Sequence, residues 1–107
     1  GILASAQREL LEEAGLTAGD LRLVGAIHAT EGGRGVVVFV FTGVATSEEV
    51  VAGVEGAPLW VTLSEALDLM PDLRLILPRL LAMRADDPPF LARSTLDEAG
   101  RPSIAFE

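Results

Sequence analysis

The sequence predicts an α+β domain, a small sheet that needs helices on its faces. Three observations predict it: helical spacing near the N-terminus, two strand-like runs joined by a glycine-rich turn, and a second helical stretch followed by a hairpin pattern. The 107 residues allow one domain, spanning 1–107. Half of the residues are hydrophobic, enough for a core and more than a disordered chain carries.

Each element follows from its own pattern. Leu3, Leu10 and Ala14 recur at helical spacing, which predicts a helix over 2–14. Arg8 and Glu12 stand four apart and can pair. Gly15 follows the last turn, where a left-handed residue often closes a helix. No N-capping residue precedes Ile2, so this helix is expected to start at a cut edge. Residues 21–30 and 36–44 read as two strands around Glu31-Gly-Gly-Arg-Gly35, whose glycines accept positive φ. A loop over 45–57 carries Glu48, Glu49 and Glu55, and a short strand is expected from Pro58 to Thr62. Thr62 with Glu65 fits a capping box that opens a helix near 63–69, interrupted by Met70-Pro71-Asp72. A further helix covers about 73–84, with Pro78 inside it as a kink or a late start. Phe90–Leu96 and Ser103–Phe106 then form a final hairpin around Asp97-Glu-Ala-Gly-Arg101. Three to five strands are little sheet for this much helix, and the first helix has no earlier strand to pack on. Material upstream is therefore expected to be missing.

The charge balance restricts partners. Sixteen acidic and eight basic residues give a formal net charge of −8. Proteins that bind nucleic-acid polymers usually carry the opposite sign, because phosphates attract Lys and Arg. An acidic protein that handles phosphates needs a cation between the two, so the balance agrees with a metal site. The absence of cysteine removes disulfides, thiolate nucleophiles and Cys-ligated zinc, and fits a reducing cytoplasm. The longest apolar run, Val36 to Phe41, is strand-sized, so no membrane span is expected. No signal peptide is visible and no initiator Met is present, so Gly1 is not expected to be a native translation start.

Chemistry concentrates in Arg8-Glu-Leu-Leu-Glu-Glu-Ala-Gly-Leu16. Glu9, Glu12 and Glu13 lie at i, i+3 and i+4, and at roughly 100° per residue they share one side of the helix. Carboxylates so close repel each other, and a divalent cation relieves the repulsion. Oxygen-only ligands select Mg²⁺, Mn²⁺ or Ca²⁺ over zinc. The plainer reading stands beside it: a solvent-facing helix, rich in Glu because Glu favours helices, with Arg8–Glu12 as a surface pair.

The same string resembles the second half of the Nudix box, G-x5-E-x7-R-E-U-x-E-E-x-G-U, where U is a bulky apolar residue. Arg8 and Glu9 match R-E, Leu10 matches U, Glu12 and Glu13 match E-E, and Gly15-Leu16 match G-U. Seven residues precede Arg8, so the chain would begin just after the box's first Glu, with the first strands of the domain missing. The resemblance implies an α/β/α sandwich around a mixed sheet, present here as a partial domain. It implies that Glu9, Glu12 and Glu13 bind Mg²⁺ (or Mn²⁺), directly or through water, and that Arg8 orients one carboxylate by ion pairing. A further Glu in a later loop often contributes a ligand or the base. Glu55 is the candidate here, with Glu48 and Glu49 as competitors and loop solubility as the alternative for all three. Trp60-Val-Thr-Leu-Ser-Glu-Ala-Leu67 resembles the family's strand-to-helix step. Met70-Pro-Asp72 and the segments after it are similar to the 8-oxo-dGTP diphosphatase subgroup, where an aromatic-Pro-Asp segment helps recognise the oxidised purine. Met70 replaces the aromatic residue. Asp72 is then a candidate contact to a base edge, with an N-cap of the last helix as its alternative.

The implied activity is Mg²⁺-dependent hydrolysis of a nucleoside diphosphate linked to another group X. An oxidised purine nucleoside triphosphate, cleaved to monophosphate and pyrophosphate, is the first substrate, and ADP-ribose the second. A nucleotide is the expected partner, without nucleic-acid polymer or membrane, and a homodimer is compatible with an exposed apolar edge. The rival expectation is a non-catalytic fragment that binds nucleotide or a protein. His28, the single histidine, lies in a strand, where a structural role is the default, and it has no Ser partner for a triad. Phe39 and Trp60 can stack on a base, with core packing as the default. The glycine-rich turn lacks the Lys-Ser/Thr of a P-loop, and Arg34 beside it is a weak candidate for a phosphate contact.

Overall fold

The computed structural model describes residues 1–31, 33–51, 60, 62, 64–65 and 73–107. The described elements run α1 (Ile2–Ala14), β1 (Ala18–Glu31), β2 (Arg34–Ala45), α2 (Leu73–Ala82), β3 (Phe90–Leu96) and β4 (Pro102–Phe106). The strands form one sheet in the order β2-β1-β3-β4. β1 and β3 are parallel, from Gly25↔Phe90 to His28↔Arg93. β3 and β4 are antiparallel, from Ala92↔Phe106 to Leu96↔Pro102. The sheet is therefore mixed, and the protein is α+β. Parallel neighbours cannot be joined by a tight turn. The long connection from β2 to β3, which includes α2, meets that need.

The first helix has the expected bounds, and no side chain caps its N-terminus. The first hairpin is longer at its base than the apolar pattern indicates. Thr46 N–H donates to the Thr17 carbonyl at 3.0 Å, and the Thr46 hydroxyl donates to the same oxygen at 3.1 Å, so pairing reaches back past residue 21. The last hairpin closes as its sequence predicts. Asp97 Oδ1 accepts the Arg101 N–H at 2.8 Å, and Gly100 turns at φ 79°. Thr62 and Glu65 form the capping box: the Thr62 hydroxyl accepts the Glu65 N–H at 3.2 Å and donates to Glu65 Oε1 at 2.9 Å. Ser64 and Glu65 are helical. The rest of the expected strand at 58–62 and helix at 63–69 lies outside the described residues, Trp60 and Thr62 apart.

Two compact units divide the chain, Gly1–Leu23 with Phe41–Val61, and Val24–Val40 with Thr62–Glu107. In the second, Ile27, Ile76, Phe90 and Ala92 are buried together, with Val40, Leu73, Leu80 and Ile104 packed against them. These side chains come from alternate positions of the strands and from one stripe of α2, as burial of one sheet face under one helix requires. Phe90 meets Phe106 edge to face, with ring centroids 5.4 Å apart. The Arg79 guanidinium sits 4.9 Å from the centroid of the Phe106 ring. Pro78 lies inside α2 rather than at its start.

Candidate active site

In the first unit, α1 carries the carboxylates. It ends at Gly15, whose φ of 68° is left-handed and whose N–H donates to the Leu11 carbonyl at 2.9 Å. A second terminal carbonyl, that of Ala14, accepts the Val51 N–H at 2.8 Å. The chain after β2 is thus tied to the end of α1, and it passes so close that a Cβ on Gly15 would stand 2.9 Å from the Val51 Cβ. Gly15 is needed twice, for its φ and for this approach. The sequence signals the first need. The second depends on a residue 36 positions away and was not readable.

Glu9, Glu12 and Glu13 are all exposed on α1, on neighbouring positions of one arc. Arg8 Nε lies 3.9 Å from Glu12 Oε1, with both side chains about 60% exposed. At that exposure the pair contributes no more than about 0.5 kcal/mol to stability. On the adjoining arc, Gln7, Arg8 and Leu11 face Thr17 and Ala18 across a shallow hollow of about 330 Å³. Arg8 thus stands between that hollow and the carboxylates.

Among the described residues no group of three His, Asp or Glu side chains forms a ready metal cage. The donor set nevertheless suits a hard dication. It is oxygen-only and open to water, and Mg²⁺ keeps several waters and is usually held by one or two carboxylates together with substrate phosphates. Glu9, Glu12 and Glu13 are the side chains that could supply such oxygens, without the closed arrangement a zinc site requires.

The remaining candidates separate. Glu48 and Glu49 are exposed in the segment leading to Val51. The Glu48 carbonyl accepts the Trp60 indole N–H, and Glu49 N–H donates to the Ser47 hydroxyl at 3.0 Å. Trp60 is 54% exposed and Phe39 is 44% exposed, so neither is the core residue expected. Trp60 holds a loop by its indole N–H, and Phe39 lies on a stretch of β2 where Val37 and Val38 are exposed too. His28 is also exposed, its Nε2 3.0 Å from where a Cβ on Gly35 would stand. Arg34 is exposed at the start of β2. Glu55, Met70 and Asp72 lie outside the described residues.

The second unit holds a hollow of about 280 Å³ between α2 and the sheet. Its described walls include Ile27, Val38, Val40, Leu73, Ile76 and Ile104, and among the described lining residues all but Ser94 are aliphatic. The sequence gives no sign of this cavity, because its lining reads as ordinary core.

A family model described as NUDIX domain matches residues 1–82, and the chain belongs to the NUDIX family. Members act on nucleoside diphosphates linked to another group, and generally use divalent metals such as Mg²⁺. The fold is similar to that in the "Crystal structure of mMutator MutT protein from Bacillus halodurans". The TM-score is 0.73 at 22% identity, over 100% of this chain and 74% of that one. At that identity the likeness concerns the fold. No curated protein matches the chain. Among the described residues no helix is long and apolar enough to cross a membrane.

Proposed function

We propose that this protein is a Mg²⁺-dependent pyrophosphohydrolase that cleaves a nucleoside triphosphate to the monophosphate and pyrophosphate, with an oxidised purine nucleotide such as 8-oxo-dGTP as the first substrate to test. The observation that carries this reading is the exposed Glu9-Glu12-Glu13 arc on α1, flanked by Arg8 and closed by Gly15, in a chain of the NUDIX family. Glu9, Glu12 and Glu13 would hold the metal, which supplies positive charge against the phosphate oxygens. Arg8 limits the rotamers of Glu12. Glu9 or Glu55 accepts the proton of the attacking water.

The two ends of a nucleotide need different surroundings. The phosphates need cations, and the exposed carboxylates supply a place for one. The base needs a partner at its hydrogen-bonding edge. We assign that contact to Asp72.

The test is release of pyrophosphate and phosphate by this chain with Mg²⁺ over nucleoside triphosphates, 8-oxo-dGTP and ADP-ribose. Pyrophosphate release, fastest from 8-oxo-dGTP, is expected. Turnover of ADP-ribose alone would move the substrate to the second class. Silence across the panel would overturn the catalytic reading for this chain and leave nucleotide binding without turnover.

A further inference from the structure

We infer that the exposed indole of Trp60 is the surface on which the base of the nucleotide stacks. The inference rests on the nucleotide reading above and deepens it, naming a side chain for the uncharged end of the substrate. Trp60 belongs to the same compact unit as the carboxylates of α1. It is 54% exposed, and its one polar group is already engaged, since the indole N–H donates to the Glu48 carbonyl. Among the described residues no second ring and no cation packs on it. Glu48 in turn is held close to the carboxylate helix. The segment that carries it is pinned on one side by Thr46, whose N–H donates to the Thr17 carbonyl at 3.0 Å. On the other side it is pinned by Val51, whose N–H donates to the Ala14 carbonyl at 2.8 Å. From Glu48 to Val51 the chain spans at most about 10 Å. The indole edge therefore stands within the length of an extended nucleoside triphosphate from the end of α1.

A large aromatic face left in water gains most from a flat apolar partner, and stacking asks no hydrogen bond of the indole. The bond to Glu48 fixes the ring edge, so the indole N–H is not available to read the donors and acceptors of a base. Every base has a π face, and stacking here supplies affinity with little selectivity. The phosphates do not belong at the same place. Glu48, which anchors the indole, and its neighbour Glu49 are both exposed carboxylates, and they repel a phosphate chain. The part of a nucleotide that suits an apolar ring in acidic surroundings is its neutral heterocycle.

The experiment uses the chain's own fluorophore. Trp60 is the single tryptophan and the chain has no tyrosine, so intrinsic fluorescence reports on this ring alone. The full chain with Mg²⁺ is titrated with the α,β-methylene analogues of dGTP and dATP, which resist cleavage, and with inorganic tripolyphosphate, which has no base. Both analogues should quench saturably, and tripolyphosphate should not. Calorimetry on Trp60→Leu and Trp60→Phe, with thermal melts to verify folding, then separates stacking from fastening of the loop. Trp60→Leu should weaken both analogues about tenfold or more, the loss of one stacked base, and leave tripolyphosphate within about twofold. Trp60→Phe, which loses the N–H but keeps an aromatic face, should retain most of the affinity. Equal weakening by the two variants would make the bond to Glu48 the contribution of Trp60 and overturn the stacking, leaving pyrophosphate release untouched. Quenching by tripolyphosphate as strong as by the analogues, or analogue binding that leaves the fluorescence unchanged, would overturn it too. No binding of either analogue would also overturn it, and together with no turnover on the triphosphate panel would overturn the reading beneath it.

Discussion

Gly25 shows how closely a single residue can be fixed by its neighbour. It stands beside Phe90 in the parallel register, and a Cβ added there would fall 2.2 Å from two atoms of the Phe90 ring. Phe90 is itself buried and braced by Phe106, so it has little room to yield. Gly25→Ala should therefore cost about 1–3 kcal/mol, the range for overpacking a tight core, read as a drop in thermal or denaturant midpoint. A midpoint within error of wild type would show that the ring moves freely. Glu12 is proposed as a metal ligand instead. It is exposed and its ion pair with Arg8 is weak, so Glu12→Gln should leave the melt nearly unchanged. Mg²⁺-dependent turnover should fall by more than about 100-fold, because even outer partners of a metal site cost ~10–100-fold. Full rate in that variant would remove Glu12 from the metal assignment. Asp72→Ala should flatten the preference among purines, and unchanged selectivity would return Asp72 to helix capping. The carboxylates could be found in sequence because they are spaced by the helix itself. The closeness of Gly25 to Phe90 could not, since those residues are 65 positions apart and meet only through sheet register.

At the scale of elements, α1, α2 and the two hairpins were legible because each is specified by local chemistry: helical spacing, a left-handed glycine, turns rich in glycine and aspartate. The extra length of β1 was not. Ala18, Gly19 and Asp20 are poor strand formers, Asp20 even has φ 54°, and they are held in the strand only by its partner. The order β2-β1-β3-β4 was hidden for the same reason, as parallel pairing of β1 with β3 leaves no mark in either strand. The two helices differ in how they are held. The apolar Ile2, Leu3 and Leu11 of α1 remain about half exposed and none of its residues is buried, whereas α2 buries Ile76 and Leu77. α2 therefore tolerates Pro78, which removes an intrahelical hydrogen bond and costs about 3 kcal/mol in a helix interior. Pro78→Ala should slow amide exchange across Leu73–Ala82 and raise the melting midpoint. Faster exchange would mean that the proline fixes a bend that the packing of Leu73 and Ile76 requires.

For the whole molecule, charge gives the most general prediction. A chain of net charge −8 and a nucleotide with several negative phosphate charges repel each other at long range. Proteins that hold phosphates through a basic surface lose affinity steeply as salt rises, because binding releases counterions. Here the sign is reversed. In the proposed site the attraction would be confined to a metal on the Glu9-Glu12-Glu13 arc, while the field beyond it opposes approach. Monovalent salt shortens the reach of that field, to about 10 Å at 0.1 M. With Mg²⁺ saturating, kcat/KM should therefore hold steady or rise as NaCl is increased from low levels to about 0.1 M, and chelation of the metal should abolish turnover at every salt concentration. The decisive comparison is the slope of log kcat/KM against log salt at fixed free Mg²⁺. A zero or positive slope fits substrate capture by a metal held on an acidic protein. A steep negative slope would mean that arginines, Arg8 and Arg34 first among them, capture the phosphates directly, with the carboxylates acting only after the nucleotide is bound.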